Sequence, residues 1–138
     1  TMSKSCPPSL NLTSLKSKMT DNVFRRSLYA VKEIKRVIQA CEALDNGDIK
    51  TLGGLMFETH EGLSKEYEVS CEEVDFLVDY VRNEKQVIGS RMMGGGFGGC
   101  SINLVEKGSE EKLFKKISEA YVQKFGIQLN QYKQKLIA

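Results

Sequence analysis

Five glycines lie within six residues of this chain, in the segment Gly94-Gly95-Gly96-Phe97-Gly98-Gly99. Because glycine has no Cβ, its backbone can approach a ligand closely and point several N–H groups into one concavity, which suits phosphate oxygens. A tight hairpin needs only about two glycines, so the surplus favours a binding role over a simple turn. The glycine loop, residues 94–99, is therefore the first candidate site, with Ser90 and Arg91 as candidate supports.

The glycine spacing alone does not say which kind of loop this is. Gly94, Gly96 and Gly99 match G-x-G-x-x-G, but a dinucleotide-binding loop leads into a helix, and this one leads into a strand-like segment, 101–105. A P-loop has lysine after its last glycine, where this chain has Cys100. A protein-kinase glycine loop is followed by His-Arg-Asp and Asp-Phe-Gly elements, which are absent here. The context excludes all three.

Few other side chains have the chemistry of a catalytic group. His60 is the sole histidine and has no identifiable nucleophile partner, so a packing or hydrogen-bonding role is predicted instead of general base catalysis. Asp75 is predicted to brace a helix. Arg91 interrupts an apolar strand, and three roles stay open for it: bracing the loop, reaching an anionic group, or forming a structural ion pair.

The cysteine pattern argues against a metal site. The chain has four cysteines without a Cys-x-x-Cys pair and only one histidine, so no metal site is expected. A domain of this size has no need of disulfides, and the thiols are predicted to be reduced and mostly buried, as small apolar side chains. The cysteines are Cys6, Cys41, Cys71 and Cys100.

Composition places the chain among ordinary globular domains. The 138 residues carry 20 basic and 18 acidic side chains, scattered along the sequence, for a net charge of +2. Such a balance does not build the positive field that nucleic acid or an anionic membrane surface requires. The sequence shows no signal peptide and no apolar run near the ~18 residues of a membrane span. A cytoplasmic protein is expected, without nucleic-acid or membrane partners.

Hydrophobic periodicity predicts a helical first half. Residues 1–15, which contain both prolines, are predicted to form a linker or boundary segment, and residues 16–138 one domain. A long helix is predicted from about Asn22 to Asn46 and a second after the N-cap Asp48, in which Gly53-Gly54 indicates close packing or a bend. The predicted buried stripe of the first helix is Phe24, Leu28, Val31, Ile34, Ile38, Cys41 and Leu44.

The second half is predicted to change to strands and a further helix. Ser70 and Glu73 have the spacing of a capping box, which predicts a third helix beginning at Ser70. Strands are predicted at 87–93 and 100–105, followed by a helix between Ser109 and Gly126 and a last strand at 127–132. The fold class is therefore α+β, a helical first half with a small, mostly antiparallel sheet.

Longer sequence motifs resemble those of a known family. The segment from Gly89 to Cys100, Gly-Ser-Arg-Met-Met-Gly-Gly-Gly-Phe-Gly-Gly-Cys, resembles the third, C-terminal signature of galactokinases, members of the GHMP kinase superfamily. Residues 55–60 and 67–75 resemble the family's "LM-x-x-SH" and "YEVSC-x-E-x-D" stretches. Departures from the family pattern occur at Leu28-Tyr29 for an Arg-His pair, Gly62 for serine, Glu72 for proline and Met93 for threonine.

The resemblance implies a ferredoxin-like C-terminal domain of a two-domain kinase. Such an enzyme moves the γ-phosphoryl group of ATP, with Mg²⁺, to the anomeric hydroxyl of galactose. The family's nucleotide loop, sugar motif and catalytic Arg and Asp lie in its N-terminal domain, which is the implied partner. The resemblance therefore implies no catalytic residue in this chain, no tight cofactor binding by it, no activity on its own, and a glycine loop facing the interdomain cleft.

Other functions stay open at this point. A related kinase for N-acetylgalactosamine or arabinose would share the same motifs. A non-catalytic, galactokinase-like sugar sensor or interaction module, whose glycine loop binds a partner, would share them too.

Overall fold

The computed structural model describes residues 12–134, which form helices and one hairpin. A 3-10 helix covers Leu12–Lys18, and the four α-helices are α1 (Asp21–Asp45), α2 (Ile49–Lys65), α3 (Glu72–Arg82) and α4 (Glu110–Phe125). The strands are β1 (Val87–Met93) and β2 (Cys100–Val105). The predicted α+β class is confirmed, and both predicted strands have the bounds that the sequence indicated.

The two strands form an antiparallel hairpin closed by the glycine loop. Val87 pairs with Val105 at the open end, and Met93 pairs with Cys100 at the loop, with one irregularity between Val87 and Gly89. On the helical side, α2 contacts both β1 and α1, and α3 contacts β1, α2 and α4. The hairpin that carries the candidate site is thus held mainly through β1.

A hydrophobic cluster between α3 and α4 forms the densest part of the core. Its buried members are Leu77 and Val81 from α3 with Leu113, Ile117 and Tyr121 from α4. Burying one such side chain stabilises a fold by about 1.5–3 kcal/mol. Aromatic rings extend the cluster along one side, at centroid distances of 4.8 to 6.1 Å: Phe76, Tyr80, Tyr121 and Phe125.

Helix α2 reaches β1 through two facing glycines. A Cβ on Gly53 would lie 2.0 Å from the carbonyl oxygen of Ile88, and a Cβ on Gly89 would lie 2.5 Å from the Cα of Gly53. Both obstacles are backbone atoms, which cannot rotate away as a side chain can. The predicted close packing at Gly53-Gly54 is therefore confirmed for Gly53, while the space around Gly54 is open.

The predicted inner face of α1 is wrong in its C-terminal half. Ile34, Ile38 and Leu44 are 57%, 46% and 47% exposed, whereas Tyr29 and Ala43 are buried. Glu33 and Arg36 form an ion pair with only 21% and 12% of their side chains exposed. In this half the helix packs through Ala43 and the Glu33–Arg36 ion pair, and Ile34, Ile38 and Leu44 face outward.

The start of α3 also differs from the prediction. The N-cap is Cys71, not Ser70, and it makes no side-chain cap hydrogen bond. Val69 donates its N–H to Leu63 and accepts the N–H of Phe97, which fixes an extended segment before the helix. The capping box is displaced because these tertiary contacts outweigh a local preference of about 1 kcal/mol.

Three further predictions are resolved by the described residues. Residues 127–132 form no strand; Leu129 packs against the α3–α4 cluster instead of joining a sheet. Cys41, Cys71 and Cys100 are free, but Cys41 and Cys100 are exposed, so the prediction of mostly buried thiols is wrong. Cys6 and residues 1–11 lie outside the described range, whereas 12–15, predicted as linker, begin the 3-10 helix, with Leu12 buried.

Candidate functional site: the glycine loop

The backbone of the loop adopts conformations that most residues avoid. Gly94, Gly96, Gly98 and Gly99 have φ angles of 108°, 96°, 137° and 99°, and Phe97 has φ 57°. Side chains other than glycine rarely occupy this region, and an aromatic residue there is an outlier that the surroundings must hold in place. Four of the five loop glycines are thus explained by backbone geometry.

A contact with the segment between α2 and α3 holds the loop. The N–H of Phe97 donates to the carbonyl oxygen of Val69 at 2.7 Å. A Cβ on Gly96 would lie 2.4 Å from the same oxygen, so only glycine permits this approach. Val69 directly precedes Ser70, the predicted start of α3. In the structure its carbonyl oxygen positions the loop.

The residue before Val69 is itself held from α1. Glu68 has a positive φ of 60°, and its carboxylate accepts from Arg25 at 2.5 Å. The Nε of Arg25 also donates to the carbonyl oxygen of Glu66 at 3.1 Å. Side chains that are 39% and 48% exposed contribute at most about 1 kcal/mol to such a pair, so its main effect is to fix the direction of the chain towards Val69.

Around the rest of the loop the molecule leaves space and free donors. A Cβ on Gly94, Gly95 or Gly98 would meet nothing within 4 Å. The N–H groups of Gly95, Gly96 and Gly98 have no hydrogen-bond partner within residues 12–134. Gly95 is distinctive because neither a positive φ nor a close neighbour in this chain requires it to be glycine. The arrangement offers backbone donors and room for an external group.

The candidate supports Ser90 and Arg91 lie on β1, before the loop. Ser90 is fully buried and its hydroxyl donates to the Oδ1 of Asn103 on β2 at 2.7 Å, which links the two strands of the hairpin. Arg91 donates from Nε to the adjacent carbonyl oxygen of Met92 at 3.1 Å. Within the described part of the chain no carboxylate lies within 4.0 Å of the Arg91 guanidinium, so the structural ion pair predicted as one of its roles is not formed there.

Arg91 borders a small cavity of about 100 Å³ between α1, α2 and β1. Glu33 and Arg36 line the same cavity, and the Glu33 carboxylate accepts from the hydroxyl of Thr59 at 3.0 Å. Burial and the nearby Glu33 charge raise the pKa of Tyr29 to about 12, so its phenol stays protonated at neutral pH. Glu33 is ion-paired with Arg36 and accepts a hydrogen bond from Thr59, whereas Arg91 has no ion-pair partner among residues 12–134.

His60 connects three elements beneath the loop. Its Nδ1 accepts the N–H of Met92 at 3.1 Å, so its proton belongs on Nε2, which lies 3.0 Å from Oδ1 of Asp75. The other oxygen of Asp75 accepts from Ser64 at 2.8 Å. Burial lowers the pKa of His60, while Asp75 opposes that shift. The predicted hydrogen-bonding role of His60 and bracing role of Asp75 are both confirmed.

Together these residues describe an exposed loop that is held in place from several elements of the fold. Within residues 12–134 no group of His, Cys, Asp and Glu side chains could hold a metal ion, and the same range contains no helix long and apolar enough to cross a membrane. What the geometry supplies is a rigid hairpin whose tip presents unpaired backbone N–H groups. The fold and the site define a small α+β domain with a glycine loop whose unpaired backbone N–H groups are compatible with an anion.

Comparison with known proteins identifies the family of this domain. Residues 38–123 match the model of the family described as "GHMP kinases C terminal". The chain is 44% identical over 112 residues to galactokinase of Thermotoga maritima and 45% identical over 103 residues to galactokinase of Bos taurus, covering 81% and 75% of this chain. The chain belongs to the GHMP kinase C-terminal family, as the resemblance of its motifs predicted.

A solved structure agrees with that assignment. The crystal structure of Lactococcus lactis galactokinase complexed with galactose matches 85% of this chain and 30% of its own chain, with a TM-score of 0.80 and 29% sequence identity. The chain spans 32% of the Thermotoga protein and 26% of the bovine one. It therefore corresponds to about a third of the length of the relatives it matches.

Proposed function

We propose that this chain is the C-terminal domain of a sugar kinase of the galactokinase type. The whole enzyme transfers the γ-phosphoryl group of ATP to the anomeric hydroxyl of galactose. Residues 16–138 form the domain, and its partner is the nucleotide- and sugar-binding part of the same polypeptide. The relatives that share most of this sequence, and the structure that shares its fold, are galactokinases about three times its length, which supports the proposal.

In this proposal the glycine loop closes the phosphate end of the cleft between the two parts. Phosphoryl transfer depends on positioning and on stabilising the charge of the phosphate oxygens, and unpaired backbone N–H groups supply both. The observation that carries the proposal is Gly95, whose missing Cβ is explained by nothing within the described chain. An external group that approaches the backbone there explains it.

The proposal also assigns separate roles to this domain and to the other part of the enzyme. The loop orients the phosphates and excludes water, and the Arg91 charge adds to the positive potential behind the loop. ATP and Mg²⁺ are bound chiefly by the other part of the enzyme, which also carries the acid–base groups. We therefore expect the 138-residue chain alone to bind ATP weakly at most and to phosphorylate no galactose.

The first test replaces Gly95 with alanine in the full-length enzyme. The added Cβ meets nothing within this chain, so the free energy of unfolding should change by less than about 1 kcal/mol. A misplaced phosphate, however, should lower kcat/KM for ATP at least about tenfold, because shifts near 1 Å in such sites are costly. Steady-state kinetics with ATP and galactose, together with thermal unfolding, measure both effects.

Gly54 provides the matched control, since a Cβ there also meets nothing and its φ is not positive. Gly54→Ala should leave kcat/KM unchanged. Equal kinetics for the two variants would show that Gly95 faces no ligand. Galactose turnover by the 138-residue chain above a buffer control would contradict the assignment of the catalytic groups to the other part.

A further inference from the structure

Phe97 stands at the tip of the glycine loop with most of its side chain in solvent. It is 78% exposed, although it is one of the largest apolar residues of the chain. Its φ of 57° is unfavourable for a residue with a bulky side chain, and such strain costs on the order of 1–3 kcal/mol. A free domain gains nothing from an aromatic ring held in this way.

The surrounding backbone fixes this presentation. The N–H of Phe97 is bound to Val69, and Gly96 allows the two segments to touch. The loop glycines on either side add no side chains that would cover the ring. Phe97 therefore projects from a rigid base, and little conformational entropy remains to be lost when it is bound.

Two other exposed apolar side chains belong to the same hairpin. Met93 and Ile102 are 50% and 46% exposed. Arg91 pairs with Ile102, and Met93 lies two residues beyond Arg91, so Met93 and Ile102 share one face of the hairpin. Large apolar anchors surrounded by smaller contacts are typical of protein–protein interfaces.

From these observations we infer that Phe97 is the anchor by which this domain docks onto the rest of the kinase. The inference rests on the proposed function, and it names the partner surface: an apolar pocket on the nucleotide- and sugar-binding part of the same polypeptide, beside its phosphate site. Met93 and Ile102 form the edge of that contact. We place that pocket beside the phosphate site because Phe97 lies between Gly96 and Gly98, whose N–H groups have no partner within residues 12–134.

The experiment compares one substitution in two settings. Phe97→Gly removes the ring and relieves the positive φ, so in the 138-residue chain the melting temperature should stay unchanged or rise by about 2–4 °C. In the full-length protein the same substitution should lower the melting temperature by a similar amount, because the docking contact is lost. A change of sign between the two settings is the expected signature, and it does not depend on enzymatic activity.

Further variants of the full-length protein decide the outcome even if the shorter chain does not fold. Phe97→Leu keeps an apolar anchor, so its melting temperature should stay close to that of the unmodified protein. Phe97→Asn tolerates the positive φ but has no apolar side chain, so its melting temperature should fall. Tyr132→Ala is the control, because Tyr132 is 89% exposed and has an ordinary φ. Equal melting temperatures for Phe97→Leu, Phe97→Asn and the unmodified protein would overturn the inference.

Two readouts separate this inference from its alternatives. If the stabilisation by Phe97 grows with protein concentration, the ring contacts a second copy, and the inference is wrong. If only the KM for ATP or galactose changes, the ring contacts a ligand, and the inference is again wrong. A full-length protein that shows the change of sign but phosphorylates no galactose would keep the docking contact and refute the proposed function.

Discussion

Glycines serve opposite purposes in two regions of this molecule. Where α2 meets β1, Gly53 and Gly89 are glycine because backbone atoms of the same chain occupy the place of a Cβ. At Gly94, Gly95 and Gly98 in the loop, the corresponding space is empty. The first pair is explained by the fold, whereas neither a positive φ nor a close neighbour among the described residues explains Gly95.

The comparison separates stability from binding. Substitutions at the α2–β1 contact should unfold the domain, whatever it binds. A substitution at Gly95, the open loop position without a positive φ, should leave the domain folded and change only what it contacts. Substitutions in the packed region are therefore the counterpart to those at Gly95 and Phe97.

The largest effect is expected for Gly89→Ala. Its Cβ would lie 2.5 and 2.7 Å from the Cα and carbonyl oxygen of Gly53, so α2 and β1 must separate. Overpacking of this kind costs about 1–3 kcal/mol, and more when the obstacle is backbone, so we expect a loss at or above the upper end of that range. Urea unfolding followed by circular dichroism measures it.

Gly54→Ala is again the control, one residue along α2 from Gly53. With no neighbour to meet, alanine there should stabilise the helix by roughly 0.5–1 kcal/mol. If Gly89→Ala and Gly54→Ala unfold at similar urea concentrations, the α2–β1 contact is looser than described, and the distinction between the two glycine regions fails.

A smaller effect is expected where α1 meets α2. A Cβ on Gly62 would lie 2.5 Å from the ring of Tyr29, which is 5% exposed. In the galactokinase motifs that this chain resembles, histidine is often seen at the position of Tyr29 and serine is usual at that of Gly62. The Tyr29 ring fits because Gly62 has no side chain, so we expect the two positions to be coupled.

A double-mutant cycle tests this coupling. Gly62→Ser alone should destabilise the fold by about 1–3 kcal/mol, because the ring must move within a packed interface. In the background of Tyr29→His the same change should cost at least about 1 kcal/mol less, within the usual size of coupling between residues in contact. Additive free energies of unfolding would show that the two positions are independent.

These contacts also mark what the sequence could not predict. Periodicity placed α1 but not the face it buries, since an apolar stripe and a row of Ala43, Glu33 and Arg36 are both compatible with a helix. The choice depends on which side lets α2 approach closely. Capping rules predicted Ser70 as the N-cap of α3 because they consider only neighbouring residues. The hydrogen bond between Val69 and Phe97 joins segments far apart in sequence, so these rules cannot take it into account.

The candidate site was predicted better than its supports. The glycine run and its flanking motif identified the loop and the family, because both are continuous in sequence. Residues 127–132 looked like a strand by composition, but a strand needs a neighbour, and Leu129 packs on α3 and α4 instead. The positive φ of Phe97 has no sequence signal, since phenylalanine normally avoids it.

The smallest effect is a pH dependence from His60, which ties α2 to the strand leading into the loop. Burial holds its pKa in the folded state below the ordinary value of 6.5, so the unfolded chain binds the proton more tightly. The contribution of neutral His60 is complete above about pH 6.5 and decreases as the pH falls from there through the folded-state pKa. Because one proton is involved, the free energy of unfolding should change by at most about 1.4 kcal/mol per pH unit.

Chemical denaturation between pH 7.5 and 5 measures this slope, with His60→Gln as the comparison. Glutamine offers an amide oxygen to the N–H of Met92 but does not titrate, so the variant should be less stable at neutral pH and show a smaller loss on acidification. Equal slopes for both proteins would assign the acid sensitivity to other groups. Because His60 accepts from the N–H of Met92, two residues before the loop, its protonation should weaken the hairpin next to the loop, while residues 94–99 contain no titrating side chain.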